Sequence, residues 1–500
     1  MTDATLPPEP SPWDAWPRPA RTAAGATVAV GTSVVVAYLV GTGHPELALG
    51  LLIALPTAHV LVRYPLAAAV VWLAVMPLVV ETTGEGGLRL VYWGVHRALP
   101  LLAVANVVLA ALYGVRRPLP RLTWAEGAMV AYLFITQLSI MHTSDGFTAS
   151  TYHLYDRVAA PMLLYLLVRF CEPEEKHIHR LVPILLLILV AQTVIGAVQW
   201  IAPEALPSAW QNRIGLRTTG SLRHPNVYGT TMLFVALFLM HLGISLRSHG
   251  RGRLLLWLVP VALTMVFLTY SRASWLAGLV VALGVFAIYP RYITKIAVVV
   301  IIASGLLAMS GRIDTQIQLA QNRFLSEQSE ESALSRLPVI AASLRMFEQR
   351  PLTGWGYENF DRYDRQFQGA VGGLVVPEKD HASHNLYLTL LAEQGLPGFL
   401  FYMGPFFYWL ALTRTAWRTM PVDGVVSRKL LVCLWLMLAS HVVVNNYANM
   451  RIEWGLGLWW ITLGLIASLI ERYHPVAIAH AARRAEESEE QADADWLTPS

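Results

Sequence analysis

Long apolar runs separated by brief polar punctuation set the rhythm of this chain. Leu181 to Ala202 and Leu254 to Thr269 are typical. Fourteen such runs fall at about 24–41, 46–62, 65–80, 98–114, 122–141, 157–170, 181–202, 225–246, 254–269, 273–289, 293–310, 386–413, 430–446 and 454–471. A hydrocarbon layer about 30 Å thick is crossed by roughly 20 mostly apolar residues as helix, and these runs meet or approach that length. The pattern predicts an all-α polytopic membrane protein with about 12–14 transmembrane helices.

One connection is long. Residues 311–383 form a loop that the pattern predicts to be partly helical. Within it "SRLPVIAASLRMFEQRP" reads as an amphipathic helix, with Leu337, Ile340, Leu344 and Phe347 on one face, and Pro351 ends it. "GWGYENF", Gly354 to Phe360, then reads as a glycine-driven turn. Long loops in compact proteins are usually functional or disordered, and the aromatic content favours function.

Composition agrees with this picture and adds a direction. The 500 residues are 55% hydrophobic and 14% charged, against roughly 25% charged in an ordinary soluble domain. A net charge of +4 and a pI near 9.0 could suggest nucleic acid. The placement of the charge argues for a membrane instead, and no nucleic-acid partner is expected. With the N-terminus inside, 21 of the 37 basic residues fall on the inner side and eight in the long outer loop, leaving eight elsewhere. That bias puts both termini in the cytoplasm and the 311–383 loop on the periplasmic or outer face of the cell inner (plasma) membrane. Residues 1–23 are Pro-rich, read as a disordered cytoplasmic tail, and do not resemble a cleavable signal. Residues 24–310 and 384–471 hold the spans, and 472–500 form a charged cytoplasmic tail. Cys171 and Cys433 are assigned neither a disulfide nor a role.

The candidate chemistry gathers on the outer face. "GLRTTGSLRHPNVYG" offers Arg217, Arg223 and His224. "LTYSRASWLAG" puts Arg272 at the tip of a tight hairpin beside Tyr270. "HASHNLYLTLLAEQGLPG" brings His381, His384 and Asn385 to the start of a span. One such arginine could simply snorkel to the headgroups. Three outer segments with cations near one membrane surface point to a phosphorylated lipid headgroup, which guanidinium grips bidentately. His381 and His384 with Glu378 and Asp380 could be read as a metal site. However, no third histidine or cysteine at a ligand spacing accompanies them and HExxH is absent, so no metal is assigned. His224-Pro225-Asn226 reads as a helix-start turn with Asn226 able to cap. Glu393 and Glu453 lie near membrane depth, and both an ion-pair role and a catalytic role stay open.

"RTTGSLRHPNVYG", "SRASWLAG", "SRLPVIAASLRMFEQRPLTGWGYENF" and "HASHNLYLTLLAEQGLPG", in this order, resemble the O-antigen ligase superfamily over roughly residues 180 to 470. That superfamily also holds O-antigen polymerases and bacterial O-oligosaccharyltransferases. The most specific element is His384-Asn385, nine residues, then Gly395-Leu396-Pro397-Gly398. The resemblance implies a GT-C-like membrane glycosyltransferase. Such an enzyme moves a glycan from undecaprenyl diphosphate to a glycan or lipid A-core acceptor, without metal or other cofactor. It implies His384, Arg272 and Arg217 as catalytic residues. It further implies Arg336 as a loop arginine that binds the diphosphate or glycan. Arg223, His381, Asn385 and Tyr270 are candidates for the same binding from their own outer-face positions, with Tyr270 and Trp275 otherwise read as part of an aromatic belt. The residue types suit that chemistry. Preplaced guanidiniums stabilise a diphosphate leaving group, and an imidazole accepts the proton of an attacking hydroxyl. The first outer loop, "GTGHPE", offers only Glu46 where many lipid-linked-glycan transferases carry an acidic metal-binding pair. A polymerase would use the same donor with a second lipid-linked acceptor. A transporter of lipid or glycan would also suit many spans, but the spans contain few charges.

Overall fold

The structure, a computed structural model, describes residues 63–79, 86–143, 146–211, 217–248, 250–292, 336–369, 383–448 and 451–475, with short stretches before 63 and single positions elsewhere. The expected spans at 24–41, 46–62 and 293–310 lie largely outside the described residues, as does His381.

Every described element is a helix, and the apolar runs set their positions. In chain order they are α1 (Leu66–Val79), α2 (Gly86–Tyr92), α3 (Leu99–Leu112), α4 (Trp124–Thr143), α5 (Phe147–Leu154), α6 (Ala160–Cys171), α7 (Glu175–His179), α8 (Val182–Ile201), α9 (Pro225–Ser245), α10 (Gly250–Phe267), α11 (Arg272–Ile288), α12 (Arg336–Gln349), α13 (Phe360–Phe367), α14 (Leu386–Trp417), α15 (Arg428–Asn445) and α16 (Glu453–Arg472). Two π-helical segments, Trp93–Ala98 and Tyr155–Ala159, join α2 to α3 and α5 to α6. The expected spans at 98–114 and 157–170 are therefore parts of longer helical columns. Among the described residues, seven helices are long and apolar enough to cross a membrane, and α1, α10 and α11 are shorter apolar companions. The protein is an all-α polytopic membrane protein.

α9 and α16 form the centre. Every residue from Pro225 to Gly243 and from Trp454 to Ile470 is buried, as expected for helices apolar all round. α9 packs on α10 and α15, and α16 packs on α6 and α14. Small residues let these helices approach closely. A Cβ at Gly464 would lie 2.8 Å from the Tyr165 carbonyl oxygen, and one at Gly457 would strike the Trp72 ring at 2.0 Å. This is the packing used where lipid supplies no hydrophobic drive between helices. Outside the centre, Val130, Phe134, Leu187, Val190, Val194, Leu279, Leu283 and Phe286 stay exposed, as lipid-facing positions do.

Charge is concentrated at the two ends of the bundle. At one end Arg169, fully buried, lies 3.0 Å from Glu126 and 2.5 Å from Glu471, and donates to the Arg121 carbonyl at 2.7 Å. α4, α6 and α16 are thereby locked together. The other end holds the residues singled out in the sequence.

Candidate functional site

The segment from Arg217 to His224 enters the bundle without forming a helix of its own length. Its backbone polar groups need partners, and two glutamines of α8 supply them. Gln199 accepts from the backbone N–H of Thr219 and Gly220 at 3.1 and 3.0 Å, and donates to the Gly220 carbonyl at 2.8 Å. Gln192 accepts from the Ser221 N–H at 3.2 Å and donates to its hydroxyl at 2.7 Å. Gly220 sits at φ +56, and a Cβ there would meet Gln192 at 2.2 Å and Tyr228 at 2.5 Å, so glycine is required on both counts. Thr218 donates its backbone N–H to the Leu268 carbonyl at 3.0 Å, and Arg217 Nε donates to the Thr269 carbonyl at 3.0 Å. These two bonds join the first cationic segment to the turn that carries Arg272.

That turn is tight. Thr269 accepts from the Ser271 N–H at 3.2 Å, and Tyr270 takes a left-handed conformation at φ 45. Tyr270 is 3% exposed and is wedged among Trp200, Phe267 and Trp275. Burial pushes its phenol up to about 12, so it stays protonated at neutral pH. It braces the turn from behind, and Arg272 opens α11 beside it.

Three helices begin at this place. α9 is capped by His224, whose Nδ1 accepts from the Asn226 N–H at 3.3 Å. The cap expected at Asn226 is thus made by the residue two before it. Asn226 instead accepts, through Oδ1, from the Ser271 hydroxyl. α11 is capped by Ser271, which accepts from the Ser274 N–H at 3.3 Å. α14 is capped by Asn385, which accepts from Tyr387 and Leu388 at 3.0 Å each and donates to Asn446 at 3.3 Å. Helix N-termini carry partial positive charge and present N–H groups to anions.

His384 is drawn into the same neighbourhood. The His224 imidazole is pushed down to about 4 by burial, and also by the positive charge of Arg217 and of His384. His224 is therefore neutral near pH 7, the form its cap requires. Arg217 and His384 thus both act on His224, and Ser271, the residue before Arg272, bonds to Asn226, two positions on from His224, so the segments that carry Arg217, Arg272 and His384 come together at one end of the bundle. Arg223, in left-handed conformation at φ 55, donates from Nε to the Ala209 carbonyl at 2.6 Å and anchors the segment's far side. Arg336 opens α12, whose packing partners are α13 and α14.

A second irregular segment, 351–360, docks on α14 just beyond His384. Trp355 and Gly356 donate to the carbonyls of Ala392 and Glu393 at 3.0 and 2.7 Å, and Leu396 donates to the Pro351 carbonyl at 2.7 Å. α14 breaks at Gly395 (φ 65) to accept this strand of chain. The buried Glu393 carboxylate accepts from the Phe360 N–H at 3.3 Å and pairs with Arg451 at 2.5 Å. Glu453 lies 3.7 Å from Arg157, which also pairs with Glu358. Both glutamates left open in the sequence therefore have ion-pair partners. Gln192, Gln199 and Arg451 were not picked out there. The two glutamines, seven apart in an apolar span and so on one helix face, were the available signal.

Residues 254–403 match the family model described as O-antigen ligase. This stretch, less than a third of the chain, is similar to the O-antigen ligase family and supports a relationship to that superfamily. The matched region contains Arg272, Arg336, His384 and Asn385, while Arg217 precedes it. A comparison with curated proteins finds no match. The match supports, in general terms, a function of the O-antigen ligase or polymerase kind.

Proposed function

We propose that the chain transfers a glycan from undecaprenyl diphosphate to a glycan or lipid A-core acceptor at the periplasmic face of the inner membrane. The observation that carries this reading is the meeting of Arg217, the Arg272 turn and His384 around three helix N-termini. In this reading the guanidiniums of Arg217 and Arg272, with those N-termini, receive the negative charge that builds on the departing diphosphate. His384 takes the proton from the acceptor hydroxyl as that oxygen attacks the anomeric carbon. Attack opposite the leaving group inverts the anomeric configuration, and neither redox chemistry nor a cofactor enters. Asn385 caps α14 and so fixes where His384 stands.

The test is transfer by purified protein from a synthetic undecaprenyl-diphosphate glycan. Wild type forms product, and His384→Ala, Arg217→Ala and Arg272→Ala each lose most turnover while purifying in normal yield. Transfer retained in all three variants refutes the assignment. Chelation by EDTA leaves turnover unchanged; inhibition reversed by Mg²⁺ or Mn²⁺ overturns the metal-free step. A deletion strain separates the acceptors. Long undecaprenyl-linked polymer marks a lost ligase, and single repeat units mark a lost polymerase.

A further inference from the structure

α12 is apolar on two sides. One side, with Pro338, Val339, Ala342 and Met346, is buried and closes a small core with Phe360, Phe367 and Ala392. The other side carries the stripe visible in the sequence, and it is left outside: Leu337, Ile340 and Leu344 are 42%, 37% and 43% exposed. A loop helix gains nothing from such a stripe in water, because the apolar area left accessible forgoes the stabilisation of burial.

The surroundings name what covers it. Leu352, 68% exposed, follows α12 directly, and the Leu396–Pro351 hydrogen bond sets it beside Leu396, 42% exposed. From Leu396 the exposed apolar surface continues down α14 through Leu400, Phe407 and Leu410, the flank of a membrane span. The stripe on α12 is therefore an extension of a lipid-facing surface. Arginines stand at both ends of the helix, Arg336 at its start and Arg350, exposed, after its end, where Arg350 lies 4.0 Å over the Trp355 ring. An apolar stripe flanked by cations suits the boundary between acyl chains and phosphates.

We propose that α12 is an interfacial helix, resting with Leu337, Ile340 and Leu344 in the headgroup–acyl boundary of the membrane. The long loop is thereby pinned to the lipid surface through a contact that needs no catalytic residue. This goes beyond the transfer reading and stands or falls without it.

The test uses the full chain in nanodiscs of phosphatidylethanolamine and phosphatidylglycerol, with Cys171→Ala and the buried Cys433 retained. Single cysteines replace Leu337, Ile340 or Leu344, and a control replaces Gln366, an exposed polar position of α13. Each is labelled with an environment-sensitive fluorophore. Labels at 337, 340 and 344 shift emission to shorter wavelength and are quenched by lipids carrying a spin label near the headgroup; the label at 366 does neither. Emission at all four positions typical of water overturns the proposal. A shifted but unquenched emission at 337, 340 and 344 also overturns it, since the stripe is then covered by protein, from this chain or a second copy.

Discussion

Residues 217–224 rest on the side-chain amides of Gln192 and Gln199, whereas residues 351–360 rest on backbone bonds closed by the Glu393–Arg451 ion pair. Both segments lie at the same end of the bundle; the first carries Arg217, and the second holds α14, at whose start His384 stands. The amide clamp adds no charge of its own, so it holds Arg217 and the helix N-termini without cancelling their field. The ion-pair clamp is electrically closed and deeply buried, on the α14 segment that follows His384. Under the transfer reading proposed above, uncharged support would stand where the diphosphate binds and charged support where only rigidity is needed, a division in keeping with the cost of burying unpaired charge.

The comparison can be broken first at its strongest point. Glu393→Ala strands Arg451 in the interior and is expected to cost roughly 3–5 kcal/mol in thermal unfolding in detergent. The double change Glu393→Leu with Arg451→Met recovers most of that loss. A single variant as stable as wild type would show that charge does not close this segment. Gln199→Ala removes the acceptor of two buried N–H groups and is expected to cost about 2 kcal/mol. Its cost should not change with salt, whereas a cost that falls with added salt would mean that the amide clamp is not neutral in effect.

A pH series sharpens the same contrast. The His224 pKa is held down to about 4 in the folded protein, against about 6.5 in an unfolded chain. Between those values the unfolded state binds the extra proton, so stability rises with pH and falls as the solution is acidified from about 6.5 toward about 4. His224→Gln, which keeps an acceptor at the cap, is expected to flatten that part of the profile. The smallest effect is expected at Arg157, whose pairs with Glu358 and Glu453 are partly exposed. Arg157→Gln should cost about 0–1 kcal/mol and vanish in high salt; a cost like that of Glu393→Ala would move Arg157 into the buried clamp.

Much of the fold is legible in the hydrophobic pattern, because a span must be long and apolar wherever it sits. The expected runs at 225–246 and 454–471 coincide with α9 and α16 to within a residue or two. The π-helical segments escape that reading, since hydropathy does not distinguish hydrogen-bond registers. The candidate site is legible as residue types but not as partnerships. Nothing in the order of residues says that Arg217 reaches the Thr269 carbonyl, 52 positions on, or that Glu393 meets Arg451, 58 positions on. The α12 stripe is legible as a stripe, but periodicity does not tell core from lipid. That distinction needed the second, buried face, which small residues such as Ala342 disguise.

The glycine at 395 has a mechanical consequence. By interrupting α14, it sets off the first nine residues of that helix as a separate segment about 13 Å long, tied to residues 351–356 through the Ala392 and Glu393 carbonyls and the Leu396 N–H. His384 stands just ahead of this tethered segment, so the placement of the imidazole is set by the 351–356 stretch as much as by the membrane span that follows.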